Sequence, residues 1–453
     1  MRAANFAVLT LGLALGLAFG LAGTGFSQPA PGEVARLASD LTPVGAERGG
    51  SADGVIPAWT GGLEKSAPID PAVGYTDPYA GDSPLYTITA KNAEQYKGLL
   101  SAGHLALLQR DARTFKMNVY PTRRSAALPA EVAAEVARQA PLARTDGYRI
   151  LDVGKTTVPF PIPANGLQVM WNHVFRWRGG SVERSIVWAP VAGSGKYFLV
   201  KFHQNVAFDQ QGYMERPQPG RLFGSATLFL SPPAAIGIRS ATWEPIDPVE
   251  EARARWVFLP QTLDTRRLPS YEADTIEPFT GGLRVADQND GWNGTPDRYD
   301  WKLVGKRELL IGYNGYKLAD RTLRYPDIIR PHHPDQELLR YEVHRVWVVE
   351  ATLAPGRHHR YYRRIFYVDE DTWQVAQEEV YTDKGVLFRF ADHQMMQYYD
   401  VQVPWYAATI HYDLKSGGYI IAGLSNTEPP MRWGFKGRNA DYLPSNLRSL
   451  GLR

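Results

Sequence analysis

The residues of this chain best equipped for chemistry gather in a few short stretches. In "RRIFYVDEDTWQVAQEEVYTDKG", Arg363 to Gly385, three carboxylates follow one another: Asp369, Glu370 and Asp371. Carboxylates at that density could ligate a metal or share a proton in acid/base work. Consecutive residues of an extended chain project to opposite sides, however, so a contiguous triplet does not converge readily on one ion. Asp and Thr side chains bond nearby backbone and favour turns, so the triplet, with Thr372 after it, reads as the polar bend between two strands. "PHHPD" supplies His332 and His333, and "RHHR" supplies His358 and His359. Each pair can lend at most one ring to a site and no H-E-x-x-H accompanies them, so no zinc centre is predicted. "DQNDGWNGTPD" spaces Asp287, Asn289, Asp290, Asn293 and Asp297 like oxygen ligands, but Trp292 stands where a calcium loop needs its turn glycine. A long capped turn is the favoured reading there, with a calcium loop as its rival. "AGSGK", Ala192 to Lys196, lacks the first glycine and the hydroxyl residue of a phosphate loop and reads as a hairpin turn, and G-x-S-x-G is absent. No catalytic residue, metal or cofactor is predicted.

The rest of the chain says what must carry these residues. With 453 residues, 44% of them hydrophobic, it can bury a large core. Twenty-four Tyr, 17 Phe and 12 Trp, punctuated by 33 Pro and 42 Gly, favour strands joined by turns over helix bundles. A net charge of +3 gives no electrostatic case for nucleic acid. There is no cysteine, hence no disulfide, thiolate metal site, catalytic thiol or lipid-attachment cysteine. After Arg2, the run "FAVLTLGLALGLAFGLAG" (Phe6 to Gly23) ends in small residues with no basic stop-transfer cluster behind it, the pattern of a cleaved secretory signal. A retained anchor is the rival reading, since the run is nearly long enough to span a bilayer. Residues 1–26 are therefore predicted to be a signal peptide, and the mature protein to be periplasmic.

Two textures follow. Residues 27–147 are rich in Pro and Gly, with short helical stripes in "GEVARLASDL", in "TAKNAEQYKGLLSAGHLALLQRD" broken near Ser101 and Gly103, and in "PAEVAAEVARQA". This segment is expected to wrap over another surface. From Tyr148 the pattern is one of strands: "GKYFLVKFHQNVAFD" after a Gly-Ser-Gly turn, then "YEVHRVWVVEATLAPG", "RHHRYYRRIFYV", "WQVAQEEVY" and "VLFRF". Turns of two to five residues make the last four an antiparallel meander, because a parallel crossover needs a dozen residues or more. "PAWTGGL" and "PFTGGL" read as Gly-Gly turns beside an aromatic anchor. The predicted architecture is a mainly β (α+β) fold, a large curved antiparallel sheet or half-barrel over 148–453 with 27–147 covering it.

Five segments, "DLTPVGAERGGSADGVIPAWTGGL", "VYPTRRSAALP", "PFPIPANGLQVMWNHVFRWRGG", "DQNDGWNGTPDRYDWKLVGKRELLIGYN" and "RRIFYVDEDTWQV", resemble a domain-of-unknown-function family of Gram-negative periplasmic proteins labelled outer-membrane lipoprotein-sorting protein. The resemblance spans nearly the whole mature chain and departs at "PQTLDTRRLPSYEAD", Pro260 to Asp274. It implies a LolA/LolB-like half-closed barrel that holds acyl chains under a helical lid. It also implies an outer-membrane barrel protein and an inner-membrane exporter as neighbours, transport of a hydrophobic compound between them, and peripheral membrane contact.

Residues and resemblance lead to one expectation: a non-enzymatic carrier binding a lipid, a lipoprotein acyl chain or another hydrophobic molecule in an apolar pocket. From the strand patterns its lining is predicted as Trp171, Phe175, Phe198, Val200, Phe202, Trp347, Val349, Phe366, Trp373 and Val375, with the front segment as its cover. The rivals are an envelope scaffold that holds no ligand and a hydrolase or isomerase built on His173, Asp290 and Arg298.

Overall fold

The structure, a computed structural model, describes residues 31–268 and 273–450. The predicted signal peptide lies outside the described residues. No helix among the described residues is long and apolar enough to cross a membrane.

The chain is mainly β, and its strands are antiparallel almost throughout. Strands β1 (Tyr86–Ile88) and β2 (Met117–Val119) come from the front segment, and β3 (Arg144–Asp146) with β4 (Arg149–Leu151) forms a separate hairpin. A first meander runs through β5 (Ser181–Val191), β6 (Val200–Phe208), β7 (Arg221–Phe229), β8 (Arg239–Pro245), β9 (Ala254–Leu259) and β10 (Asp264–Arg267). A second runs through β11 (Tyr299–Gly312), β12 (Tyr341–Leu353), β13 (Arg363–Asp369), β14 (Val375–Tyr381), β15 (Leu387–Tyr398), β16 (Val403–Asp413) and β17 (Tyr419–Leu424), and a short β18 (Arg432–Trp433) pairs with β5. Strand β17 pairs with β5, which fuses the two meanders into one 16-stranded sheet. Strand β11 meets β15 at Gly312 and Gln394, so the sheet must curl for its ends to reach one another. The predicted four-strand meander is β12 to β15.

Register decides what each face carries. Ile186 opposes Phe202, Trp188 opposes Val200, Ile420 opposes Pro190 and Phe202 opposes Phe229, so these side chains share one face. Their neighbours Val187, Ala189, Val191, Ile410, Tyr412 and Ile421 take the other. The two sets form separate apolar clusters on opposite sides of the same strands.

The front segment covers the second face. Its helix Ala102–Arg110, capped by the Ser101 side chain accepting from the His104 N–H, buries Leu107 and Leu108 in the cluster that holds Phe390, Ile410 and Tyr412. The first face is covered by a helix from beyond residue 148, joined by Val44, Val136 and Ala143 of the front segment. Gly166–Phe175, with the Asn165 side chain as its N-cap, is buried at every position. It starts at a glycine because a Cβ on Gly166 would stand 2.9 Å from both the Lys302 carbonyl carbon and a Val349 methyl. One expectation is thereby corrected: the region after Tyr148 is not strands alone. An evenly buried helix has no polar stripe to announce it.

Candidate functional site

On the first face, β5 to β9 leave an open stretch that the Gly166–Phe175 helix does not reach. It forms a cavity of ≈ 360 Å³. One end is aromatic: Trp188, Phe202 and Phe229 pack edge-on or tilted, with centroids 4.6 and 5.5 Å apart, and Phe279 leans on Phe229 at 5.7 Å. Ile238, Val257 and Leu259 extend this apolar wall. At the opposite end Glu244 accepts from Arg253 at 2.5 and 3.0 Å, and Arg253 also donates to the Asn293 carbonyl at 2.7 Å.

The roof is the loop through residues 275–293, braced by one buried ion pair within it and held down by the buried pairs of Asp287 and Asp290 with arginines outside it. Arg284 donates to Glu277 at 2.7 Å within the loop. Asp287 accepts from Arg364 at 2.5 Å, and the ring nitrogen of His359 stands 3.2 Å away. Asp290 accepts from Arg176 and Arg178, each at 2.6 Å, and from the Trp405 indole at 2.7 Å. Burial alone would raise both carboxyls, but the arginines outweigh it. Asp287 is held down at about 2, and Asp290 well below the ordinary range. Phe279 has φ of 63°, a left-handed backbone that bulky residues avoid. Such strain persists where surrounding contacts over-determine the chain, as the ion pairs do here.

These pairs also bear on several sequence readings. The carboxylates of Asp287 and Asp290 serve different arginines and do not face one ion, which favours the capped turn over a calcium loop. His173 and Asp290, two of the three hydrolase candidates, do come together, but every polar atom of the histidine is engaged. Its Nδ1 lies 3.0 Å from the Trp373 carbonyl and 3.1 Å from the Val375 nitrogen, and its Nε2 lies 3.0 Å from the Asp290 carbonyl and 3.1 Å from the Trp292 nitrogen. In either tautomer one nitrogen donates to a carbonyl while the other accepts an N–H. Burial, then Arg176, holds His173 well below its usual pKa. The third candidate, Arg298, is elsewhere, donating to the His358 carbonyl at 2.6 Å.

The Asp369–Asp371 triplet is a turn, as expected, but it is not a solvated one. All three side chains are buried. Asp371 accepts from Arg124 of the front segment at 2.9 and 2.6 Å, and Glu370 faces Lys306 at 2.8 Å and Arg345 at 3.5 Å. Nor do the carboxylates all diverge. One oxygen each from Asp369 and Asp371 and one nitrogen of His344 lie within 4.8 Å of one another. Burial, then Asp371, pushes the Asp369 carboxyl up to about 7.

Of the ten predicted lining residues, Phe202 lines the cavity and Val200 lies in the apolar cluster around it. Trp171, Phe175, Val349, Phe366, Trp373 and Val375 fill a closed core beneath the Gly166–Phe175 helix, with Trp347 packed at its margin. Phe198 is 43% exposed, because β6 begins only at Val200. Sequence reasoning missed Trp188, Phe223, Phe229 and Phe279. "RLFGSATLFL" alternates weakly, with apolar residues on both faces, and only its register against β6 assigns an inside. A second groove of ≈ 500 Å³ lies on the other face of β5 to β7, but Glu183, Arg432, Lys436, Arg438 and Asp441 line it, and an apolar guest would have to strip their water.

The family model described as protein of unknown function (DUF1329) matches residues 87–448. Uncharacterized protein PA3922 of Pseudomonas aeruginosa is 43% identical over 426 residues, 93% of this chain and 94% of its own. Among solved structures, a DUF1329 family protein from Desulfovibrio piger is 15% identical, with a TM-score of 0.43 over 62% of this chain and 95% of its own. The LolA superfamily protein NE2245 from Nitrosomonas europaea is likewise 15% identical, with a TM-score of 0.36 over 60% and 94%.

Proposed function

The chain belongs to the DUF1329 family, and from its geometry we propose that it is a non-enzymatic carrier that binds a lipid or other hydrophobic molecule in the cavity over β5 to β9. The observation that carries this reading is the aromatic wall of Trp188, Phe202, Phe229 and Phe279 beside a space of ≈ 360 Å³, a size within the range of roughly 300–1,000 Å³ usual for small-molecule sites. An acyl chain of about a dozen methylenes, at ~0.8 kcal/mol each, would gain roughly 10 kcal/mol before ordering costs. Binding of that kind needs no nucleophile or general base, and the buried His173 is already committed to backbone partners. With the signal-like N-terminus, the same reading makes the protein a periplasmic one that passes its cargo towards the outer membrane, receiving it from an exporter and delivering it to a membrane or a barrel protein.

Native mass spectrometry of the protein purified from its own periplasm tests this. A co-purifying hydrophobic molecule that organic solvent strips from the folded chain is the expected result. An empty protein that also fails to bind the apolar dye N-phenyl-1-naphthylamine would favour the scaffold instead.

A further inference from the structure

The cavity is not uniformly apolar, and among the polar side chains that line it four hydroxyls fall in one place. Along the same face of β7 and β8, Ser225 opposes Thr242 and Thr227 opposes Ser240, so four hydroxyls form a square midway between the aromatic end and the Glu244–Arg253 pair. Thr227 is 8% and Ser240 5% exposed, yet none of the four hydroxyls bonds to another protein group among the described residues. The carboxylates nearby are already engaged: Glu244 accepts from Arg253 and Glu277 from Arg284, while the Gln204 side-chain oxygen accepts from Arg184 at 2.8 and 3.1 Å. These four neutral groups, each able to donate and accept, offer a guest unused hydrogen-bonding capacity. A plain hydrocarbon laid across them would strip their water and return nothing.

Resting on the carrier reading, we infer that the cargo is a neutral amphiphile. Its apolar part lies against Phe202, Phe229 and Phe279, and its hydroxyl or carbonyl groups bond to Ser225, Thr227, Ser240 and Thr242. Water opposes such a preference, because added hydroxyls ordinarily weaken entry into an apolar site, so the preference is diagnostic.

The test uses the full-length gene product purified from a Gram-negative host, with N-phenyl-1-naphthylamine as reporter and two competitors that share one acyl chain. Monolauroylglycerol carries two free hydroxyls and methyl laurate none. The expected result is displacement by monolauroylglycerol at about tenfold lower concentration or less. Thr227→Val with Thr242→Val, which keep the side-chain shape, are expected to erase that ratio while methyl laurate binds as before or better. Ser225→Ala with Ser240→Ala should act in the same direction and serve if the first pair misfolds. Equal or better displacement by methyl laurate from the unaltered protein, or a ratio that survives both pairs, overturns the inference while leaving the carrier standing. If neither the dye nor either ester binds, the carrier reading falls and this inference falls with it.

Discussion

Replacing Asp290 with Ala should release the cavity roof. The carboxylate is the shared partner of Arg176 and Arg178, whose side chains are 2% and 6% exposed, and it also accepts from the Trp405 indole. Its removal leaves two guanidiniums in the core with one fewer compensating charge. Truncating one partner of a buried ion pair costs ~3–5 kcal/mol, a large share of the ~5–15 kcal/mol that separates folded from unfolded domains. With a urea dependence of ~3 kcal/mol per M, the unfolding midpoint should fall by about 1 M or more. Urea titration followed by tryptophan fluorescence measures it. The triple change Arg176→Met, Arg178→Met and Asp290→Leu should restore most of the loss, because apolar replacement of a whole buried ion cluster is often neutral. A midpoint for Asp290→Ala within ~0.2 M of the parent would correspond to less than about 1 kcal/mol and would refute the idea that this clamp holds the loop.

Asp369 gives a prediction in pH. Its folded pKa, pushed up to about 7 from an ordinary value near 4, means the folded chain keeps a proton that the unfolded chain has lost. Stability from this group is therefore full below about pH 4 and is lost as pH rises through about 7. Asp369→Asn should flatten the decline between about pH 4 and 7 in denaturation midpoints, whereas an unchanged slope would place the charge elsewhere. Arg124→Ala leaves Asp371 buried without its two hydrogen bonds, and about 3 kcal/mol should be lost. Trypsin should then cut within the front segment at lower urea than in the parent, and unchanged protection would contradict the role of this ion pair. Gly166→Ala sets a Cβ against Lys302 and Val349, so thermal unfolding should show a cost of roughly 1–3 kcal/mol. No measurable change would mean that the helix can shift at no cost.

The second meander was legible because its turns are short and its breakers frequent: "APG" after β12 and "TDKG" after β14 stop strands with side-chain chemistry that acts locally. The same local chemistry identified the Asp369–Asp371 bend. Its burial was not legible, because that depends on Arg124, Lys306 and Arg345 arriving from distant parts of the chain. The Gly166–Phe175 helix was missed since even its Asn172 and His173 are buried, so no polar stripe marks a 3.6-residue period. The cavity was only partly readable for a related reason. Phe202 alternates visibly along its own strand, but the inward direction of Ser225, Thr227 and Phe229 follows from pairing with β6 and β8, which no single strand records.

Photolabelling distinguishes most directly where the cargo sits. A monolauroylglycerol bearing a diazirine on its acyl chain, irradiated with the protein and followed by peptide mapping, should mark the segments that contain Trp188, Phe202, Phe229 and Phe279. Labels concentrated instead on the Gly166–Phe175 helix and the Trp347–Val375 region, or spread over the outer surface, would contradict a ligand cavity over β5 to β9.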